Sequence, residues 1–384
     1  MQKEIVYLDN GASTKADPKV LEKMKPYFCE IYGNASSSHT FGQKSKQALE
    51  NSRDIIAKSL NSKPEEIIFT SGGTESNNFA LKSIAFSNKD KGNHIITTKI
   101  EHKSILNTCK WLEKQGFDIT YLNVDKEGFV DPEELEKVIT DKTILVSVIH
   151  GNNEIGTIQN IEELGKICKE KKVYFHTDAC QSFTKTELNV KKQNIDLITI
   201  NSHKIHGPKG VGALYIRKGT NIKAWQHGGE HEYSLRSGTE NIPGIVGFAE
   251  AAKMGMNKKH MDKMTVLRDK LIKEIMTRIK NVKLNGPEGN KRLCNNVNLS
   301  FKGIEGEALG GYLDQYNICS STGSACSEKS LEPSHVLKAI GLNNETANGS
   351  LRLTLSRFTT EDEIEYVMSV LPKIVNKLRR LSPF

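Results

Sequence analysis

The 384-residue sequence has no apolar run that approaches the roughly 18 residues of a membrane-spanning helix. It also lacks the G-x-x-x-x-G-K-[ST] pattern of a P-loop and the G-x-G-x-x-G pattern of a dinucleotide-binding turn. The first residues, MQKEIVYLDN, contain no apolar segment of the signal-peptide kind. We therefore expect a cytoplasmic protein that does not contact a membrane, and we do not expect either of these two nucleotide-binding sites.

The sequence is also short of paired cysteines. It contains seven, an odd number, at wide spacings and without a C-x-x-C motif, which argues against a disulfide framework and a zinc ribbon. Six of them fall in helical or strand patterns and are predicted to be small core side chains: Cys29, Cys109, Cys168, Cys180, Cys294 and Cys319. Cys326 instead lies in a Gly- and Ser-rich stretch, which predicts an exposed loop.

Charge of one sign is not concentrated anywhere. The sequence has 54 basic and 46 acidic residues, for a net charge of +8, and its basic residues are scattered. A nucleic-acid-binding surface would need clustered basic residues with interleaved aromatic residues. We therefore expect a solvated lysine-rich surface and no direct contact with nucleic acid.

Between about residues 65 and 217, short apolar runs alternate with amphipathic stretches. This alternation predicts an α/β fold with a mainly parallel seven-stranded sheet that is covered on both faces. The predicted strands are Glu66–Thr70, His94–Thr98, Ile119–Val124, Ile144–His150, Val173–Asp178, Asp196–Asn201 and Gly212–Arg217. The predicted helices are Thr74–Phe86, Ser104–Gln115, Pro132–Ile139 and Ile161–Glu170.

The rest of the chain has a different pattern. One long helical stretch is predicted over Pro243–Ile279. Residues from about 280 to 384 predict a smaller α+β unit, with strands at Asn296–Phe301 and Ser350–Ser356 and a last helix after Thr360. Ligands of such a parallel sheet bind beyond the carboxyl ends of its strands, so the site is expected there.

Three segments at predicted strand ends carry candidate chemistry. The small residues before Thr74 open a helix, which indicates an anion site or a simple helix cap. Asp178 ends a very apolar strand and needs a cationic or donor partner, unless it is a helix N-cap. Lys204 follows a strand directly, so it is either a partly desolvated lysine able to form a Schiff base or an exposed loop lysine. Together these three features match the anchors of pyridoxal 5′-phosphate (PLP).

An ordered set of motifs along nearly the whole chain resembles the cysteine desulfurases of the NifS/IscS type, which belong to the class V aminotransferase family of fold-type I PLP enzymes. The matching segments are Tyr7–Asn10, Gly33–Asn34, Gly73–Asn77, Glu101–His102, Asn152–Gly156, Asp178, Gln181, His203–Lys204, Gly207–Gly210, Arg236–Asn241, Gly323–Cys326, Glu332–Leu337 and Arg352. The resemblance implies a fold-type I PLP-dependent transferase.

The resemblance implies a role for each cofactor-site residue. Lys204 would hold PLP as a Schiff base and move the substrate Cα proton, and Asp178 would keep the pyridine nitrogen protonated. His102 would stack on the ring and, as a catalytic residue with Lys204 and Cys326, help in proton transfer, and Gln181 would contact the phenolic oxygen of the ring. The implied phosphate ligands are Gly73, Thr74 and His203, with Thr239 reaching the phosphate of the neighbouring subunit in a homodimer. Asn201 lies where the family commonly has a phosphate-binding serine, and we keep it among the cofactor-binding residues.

The resemblance also implies the substrate and the product. Asn34, Asn153 and Arg352 would bind the carboxylate of L-cysteine. Cys326 would take the sulfur as a persulfide and pass it to an acceptor protein, either an iron–sulfur scaffold or a thiolation relay. The alternative is a selenocysteine lyase or another class V PLP lyase or aminotransferase.

The same resemblance implies two domains. Residues 16–250 would form the large PLP-binding domain, and residues 1–15 and 251–384 the small domain, which carries a loop with Cys326 at about 319–333. No metal site is expected. The segment His227–His231 matches an inverted zinc-protease motif, but Gly228 and Gly229 disfavour the helix that such ligands need.

Overall fold

The computed structural model describes residues 5–323 and 333–381. Its strands are β1 (Val6–Tyr7), β2 (Ile67–Thr70), β3 (His94–Thr98), β4 (Asp118–Leu122), β5 (Thr143–Ser147), β6 (Tyr174–Asp178), β7 (Leu197–Asn201), β8 (Gly212–Ile216), β9 (Val282–Leu284), β10 (Asn296–Phe301), β11 (Ile318–Cys319) and β12 (Ser350–Thr354). All seven strands predicted between residues 65 and 217 are present, with ends that differ by at most a few residues.

Helices alternate with strands from β2 to β6. The helices are α1 (Pro18–Met24), α2 (Pro26–Cys29), α3 (Thr40–Leu60), α4 (Gly73–Ser87), α5 (Lys103–Glu113), α6 (Pro132–Val138), α7 (Ile161–Glu170), α8 (Ile242–Gly255), α9 (Lys258–Arg278), α10 (Gly306–Asp314), α11 (His335–Ala339), α12 (Asn344–Asn348) and α13 (Glu361–Leu381). No helix of the described segments is long and apolar enough to cross a membrane.

The larger sheet has seven strands in the order β2-β8-β7-β6-β5-β3-β4. β8 runs antiparallel to both of its neighbours, and every other strand runs in one direction. The predicted mainly parallel seven-stranded sheet is therefore confirmed. Since the parallel strands share a direction, the segments that follow β2, β3, β5, β6 and β7 meet at one edge of the sheet.

Helices cover both faces of this sheet. Successive strand residues point to opposite faces, so Leu145 packs with α4 and α5, whereas Val146 packs with α3 and α8. The same alternation separates Ile68 from its neighbours Ile67 and Phe69. Burial on both sides explains why these strands are continuously apolar rather than alternating.

A smaller three-stranded sheet, in the order β12-β10-β9, packs against α9, α10 and α13. The N-terminal strand β1 pairs in parallel with β11, and Val6 and Leu8 belong to the same apolar cluster. This cluster is separate from the one around the large sheet. The end of the chain thus forms an α+β unit that also takes up the first described residues.

Two features of the helices differ from the sequence prediction. The stretch Pro243–Ile279 is two helices, because α8 ends at Gly255 and Asn257 caps the start of α9 by accepting a hydrogen bond from the Lys259 N–H. The long helix α3 was not predicted at all. It packs against α8 and has the 3.6-residue apolar period of a half-buried helix.

A buried ion pair holds an irregular turn against the sheet. Arg53 of α3 donates two hydrogen bonds to the Glu232 carboxylate, at 2.7 and 2.8 Å, and Glu232 also accepts from the Phe69 N–H of β2 at 2.7 Å. Glu232, Tyr233 and Ser234 all have left-handed backbone angles, with φ of 45°, 56° and 62°. Three such residues in a row are unfavourable, so the turn depends on the pair that anchors it.

Glu232→Gln is expected to lower the free energy of unfolding by about 3 kcal/mol, because it removes the buried counter-charge of the Arg53 guanidinium and leaves it only the partly exposed carboxylate of Glu50, at 3.3 Å. Urea unfolding measures this change. Glu22→Gln is the control: it removes the exposed Lys25–Glu22 pair and should cost less than about 1 kcal/mol. Equal effects of the two substitutions would contradict the anchoring role of Glu232.

Candidate active site

A cavity of about 210 Å³ opens at the carboxyl edge of the large sheet. Five of the six strands that share a direction contribute to it: α4 begins after β2, His102 follows β3, Asn153 follows β5, Asp178 ends β6, and Lys204 follows β7. The predicted site residues that line the cavity are Gly73, Thr74, His102, Asn153, Asp178, Gln181, Asn201, His203, Lys204 and Arg352. Residues that are far apart in the sequence thus face one small volume.

Asp178 is the buried carboxylate of this cavity, with 4% of its surface exposed. One oxygen accepts a hydrogen bond from the Cys180 N–H at 2.9 Å, and the other accepts from the Asn77 side chain at 2.7 Å. Burial favours the neutral acid, yet the pKa of Asp178 lies below its ordinary value because these two donors and the positive charge of Lys204 help to outweigh burial. The group is therefore a carboxylate at neutral pH.

The start of α4 forms the second part of the site. Its N-cap, Gly72, has φ of 150° and no side chain that could cap the helix, so the first backbone N–H groups remain available. The Thr74 hydroxyl and the buried amide of Asn201 lie at the same cavity. The Asn201 Oδ1 atom has no hydrogen-bond partner within the described residues. The N–H groups at the start of α4, the Thr74 hydroxyl and the Asn201 amide nitrogen are donors that can hold an anion, whereas Asn201 Oδ1 can only accept.

Lys204 is half-buried and lies in the turn that follows β7. Its backbone carbonyl accepts a hydrogen bond from the Lys185 ammonium at 3.1 Å, and Lys185 also donates to the Gln181 carbonyl at 2.9 Å. Burial lowers the pKa of Lys185 to about 8. Lys185 thus ties together the two turns that carry Gln181 and Lys204, a contact that the sequence did not reveal.

Two histidines at the cavity are neutral at physiological pH. Burial, reinforced by the nearby charge of Lys204, lowers the pKa of His102 to about 4. Burial and the charges of Lys204, Lys209 and Lys185 lower the pKa of His203 to about 4 as well. Neutral imidazoles can stack on a ring or accept a proton, so both side chains are compatible with the roles that the sequence implied.

The small sheet contributes Arg352, which is 1% exposed on β12. Its guanidinium donates to the Asn153 carbonyl and to the Asp9 carboxylate, both at 3.0 Å. Its Nε has no hydrogen-bond partner within the described residues. An arginine held in this way can bind a carboxylate from the cavity.

Two predicted residues of the described segments, Asn34 and Thr239, do not line this cavity. Asn34 is exposed and accepts a hydrogen bond from the Ser36 N–H. Thr239 is exposed and lines a separate cavity of about 100 Å³ with Arg236. Cys326, with its loop, lies outside the described residues.

Comparison with known proteins decides the family. The family model of class-V aminotransferases matches residues 6–367. A cysteine desulfurase IscS of Clostridium botulinum is 53% identical over 98% of this chain and 96% of its own. The chain belongs to the class-V aminotransferases, as a cysteine desulfurase of the NifS/IscS type.

The solved structures of the family show the same fold. A NifS-like protein superposes with a TM-score of 0.90 at 38% identity, covering 98% of this chain and 99% of its own. A protein named SspA, solved in complex with cysteine, superposes with a TM-score of 0.83 at 37% identity, covering 92% of this chain and 100% of its own. The fold-type I assignment made from the sequence is confirmed.

Some cavity residues of this cysteine desulfurase were not singled out from the sequence. Asn77 and Ser104 line the cavity, although Asn77 belongs to a motif that carried the family resemblance. Cys180 also lines it, next to Asp178, and lies in a turn. Cys180 is buried, as predicted, but it and Cys294 lie in turns rather than in a helix or strand, and Cys29, which is exposed on α2, is not a core residue.

Gly73 is required by the space that Cys180 occupies. A Cβ atom at position 73 would lie 2.6 Å from the Cys180 sulfur. Gly73→Ala is therefore expected to lower the free energy of unfolding by about 1–3 kcal/mol through overpacking. Adding Cys180→Ala should recover most of the loss in thermal or urea unfolding. A double variant no more stable than Gly73→Ala would show that another contact is responsible.

Glu101 precedes His102 and is fully buried. Burial raises its pKa to about 8, against the hydrogen bonds from Thr98 and the Ile149 N–H. Between the ordinary glutamate pKa and pH 8, the unfolded chain carries the carboxylate and the folded chain the acid, so raising the pH destabilises the fold.

Glu101→Gln removes this titration. Its stability relative to the original protein is expected to rise between pH 5 and pH 8, as measured by urea unfolding at each pH. Glu113→Gln, at an exposed glutamate at the end of α5, serves as the control. A stability difference for Glu101→Gln that does not change with pH would contradict the raised pKa.

Proposed function

We propose that this chain is a PLP-dependent cysteine desulfurase that converts L-cysteine to L-alanine and transfers the sulfur to Cys326. The observation that carries the proposal is the meeting of Asp178, the start of α4 and Lys204 at one cavity. The cysteine bound to the similar protein SspA supports the choice of substrate.

The residues present fit PLP. Asp178 is a buried carboxylate that makes no ion pair within the described residues, so it suits a protonated pyridine nitrogen. The uncapped start of α4, with Thr74 and His203, suits a phosphate. Lys204 lines the same cavity, from which it can bond to the cofactor aldehyde. When bound, PLP supplies an electron-withdrawing ring that stabilises negative charge at the substrate Cα.

The residues of the cavity have separate roles in binding the cofactor, moving the proton and binding the substrate. The Asp178 carboxylate would hold a proton at the pyridine nitrogen, His102 would stack on the ring, Gln181 would contact the phenolic oxygen, and Asn201 would add a donor near the phosphate. The Lys204 amine removes the proton from the substrate Cα and returns one later. Arg352 and Asn153 would bind the substrate carboxylate, whereas Asn34, predicted as a further ligand, does not line this cavity and is not given that role.

Sulfur transfer requires a thiolate nucleophile. The Cys326 thiolate attacks the substrate sulfur, so a sulfur–sulfur bond forms as the carbon–sulfur bond of cysteine breaks. The electron pair of the broken bond stays on the carbon side, which is protonated to the methyl group of alanine. The products are alanine and a persulfide on Cys326. The outer sulfur of this persulfide is then passed to an acceptor protein.

We also propose a division of the chain into two domains and its association into a homodimer. Residues 16–250 form the large domain, and residues 1–15 and 251–384 the small one, a division supported by the two separate apolar clusters. The chain acts in the cytoplasm as a homodimer, in which Thr239 would reach the phosphate of the PLP bound by the partner subunit. Its exposed position, away from the cavity of its own chain, supports this role.

Cys326→Ala is expected to lower the rate of alanine formation from L-cysteine by about two orders of magnitude or more while PLP stays bound, because the sulfur acceptor is lost. Lys204→Ala should remove the visible absorbance of the lysine-bound cofactor. Alanine assay and mass spectrometry of the persulfide measure these effects, with Cys29→Ala, at an exposed cysteine, as the control.

Undiminished alanine formation by Cys326→Ala would exclude sulfur transfer to that thiol. A protein that releases selenium from selenocysteine but leaves cysteine unchanged would instead be a selenocysteine lyase. A colourless protein that takes up no PLP would exclude both activities.

A further inference from the structure

A continuous hydrogen-bond chain connects Asp178 to the ring of His102. The Asn77 side-chain nitrogen donates to Asp178 at 2.7 Å and to the Ser104 hydroxyl at 2.8 Å, and that hydroxyl lies 2.8 Å from His102 Nδ1. Asn77 and Ser104 are buried, with 1% and 9% of their surfaces exposed. Neither residue has a role in the reaction as proposed above.

The donor and the acceptor of each hydrogen bond between Asp178 and His102 can be assigned, starting from Asp178. Asp178 is a carboxylate and can only accept, so the Asn77 amide must turn its NH₂ group toward it. The same NH₂ group donates to Ser104, whose oxygen is then an acceptor. The Ser104 hydroxyl proton is therefore free to point at His102 Nδ1.

His102 Nδ1 receives a second donor. The backbone N–H of Ser104 also points at it, at a distance of 3.2 Å, because His102 is the N-cap of α5. A nitrogen that accepts two hydrogen bonds carries no proton, so the neutral ring must carry its proton on Nε2. Nε2 makes no hydrogen bond to any residue of the described ranges, and His102 lines the cavity.

We propose that Asn77 and Ser104 are positioning residues that transmit the orientation of the Asp178 carboxylate to His102 and fix its Nε2-protonated form. One helix, α4, thereby holds the carboxylate that meets the edge of the cofactor ring, and α5 holds the imidazole that meets its face. The charged or titratable groups around the imidazole are Asp178, Lys204, His335 and Lys103. The consequence for catalysis rests on the proposed function.

The chain also contains a matched control. Asn78 and Thr108 join the same two helices through a hydrogen bond of 3.0 Å, and neither residue lines the cavity. Thr108→Val removes that bond as Ser104→Ala removes the hydroxyl of the proposed chain. A general loosening of the contact between α4 and α5 would affect both variants alike.

The first test uses ¹⁵N NMR of the full-length protein labelled in its histidines, with the His102 signals identified by their loss in His102→Gln. The Nδ1 signal should be that of an unprotonated, hydrogen-bonded nitrogen. Ser104→Ala should move it toward the value of a free nitrogen, whereas Ser104→Thr and Thr108→Val should leave it in place. Asn77→Leu should move it in the same direction, but not further when it is combined with Ser104→Ala, because Asn77 acts through that hydroxyl.

The second test measures the PLP-loaded enzyme. Ser104→Ala and Asn77→Leu should each lower kcat for L-cysteine by about 2- to 10-fold, the effect of one hydrogen bond. The KM and the PLP content should change little, and Ser104→Thr should restore kcat.

Unchanged His102 signals in Ser104→Ala, or an equal shift in Thr108→Val, would overturn the proposed positioning role. The NMR test requires neither PLP nor cysteine, so its outcome does not depend on whether the proposed function is correct. If the NMR shifts occur but kcat of the loaded variants is unchanged, the inferred role in catalysis is wrong. If the original protein forms no alanine, the proposed function itself fails.

Discussion

The buried carboxylate of Asp178 is the constraint on which the site depends. A carboxylate at the end of a strand inside a doubly covered sheet has lost its water, and it stays charged only where the protein supplies donors and positive charge. Those donors come from α4 and from the turn after β6, and the positive charge from the turn after β7. Keeping the charge therefore requires three segments of the chain to meet at one point, and that meeting point is the cavity.

The sheet makes this meeting possible. Its parallel strands direct their carboxyl ends to one edge, so a short turn after each strand reaches the same volume. β8 runs against this direction and returns the chain after the turn that carries Lys204. The small sheet closes the cavity from the other side with Arg352, which Asp9 and Asn153 hold in place. The cavity residues Asp178 and Lys204 thus come from the large sheet and its turns, and Arg352 from the small sheet.

Much of the fold was predictable from the sequence, and the reason is periodicity. Strands buried on both faces are short, continuous apolar runs, and the helices between them keep a 3.6-residue period, so all seven strands of the large sheet were found. The break between α8 and α9 was missed because only two residues, Met256 and Asn257, separate two helical patterns, and Asn257 caps the second helix. Cys180 is buried as predicted, but its contact with the cavity was not foreseen, because small size and low polarity suit a cavity wall as well as a core.

The sequence by itself determined the class of chemistry: Asp178, Lys204 and the start of α4 stand at strand ends, and the ordered motifs around them identify the family. Only the tertiary structure decided which side chains hold these groups in place. Asn77, Ser104 and Lys185 act through hydrogen bonds between segments that are tens of residues apart. No local pattern reports such bonds, because an amide, a hydroxyl or an ammonium in a helix or turn has the same sequence signature whether it faces solvent or a buried carboxylate.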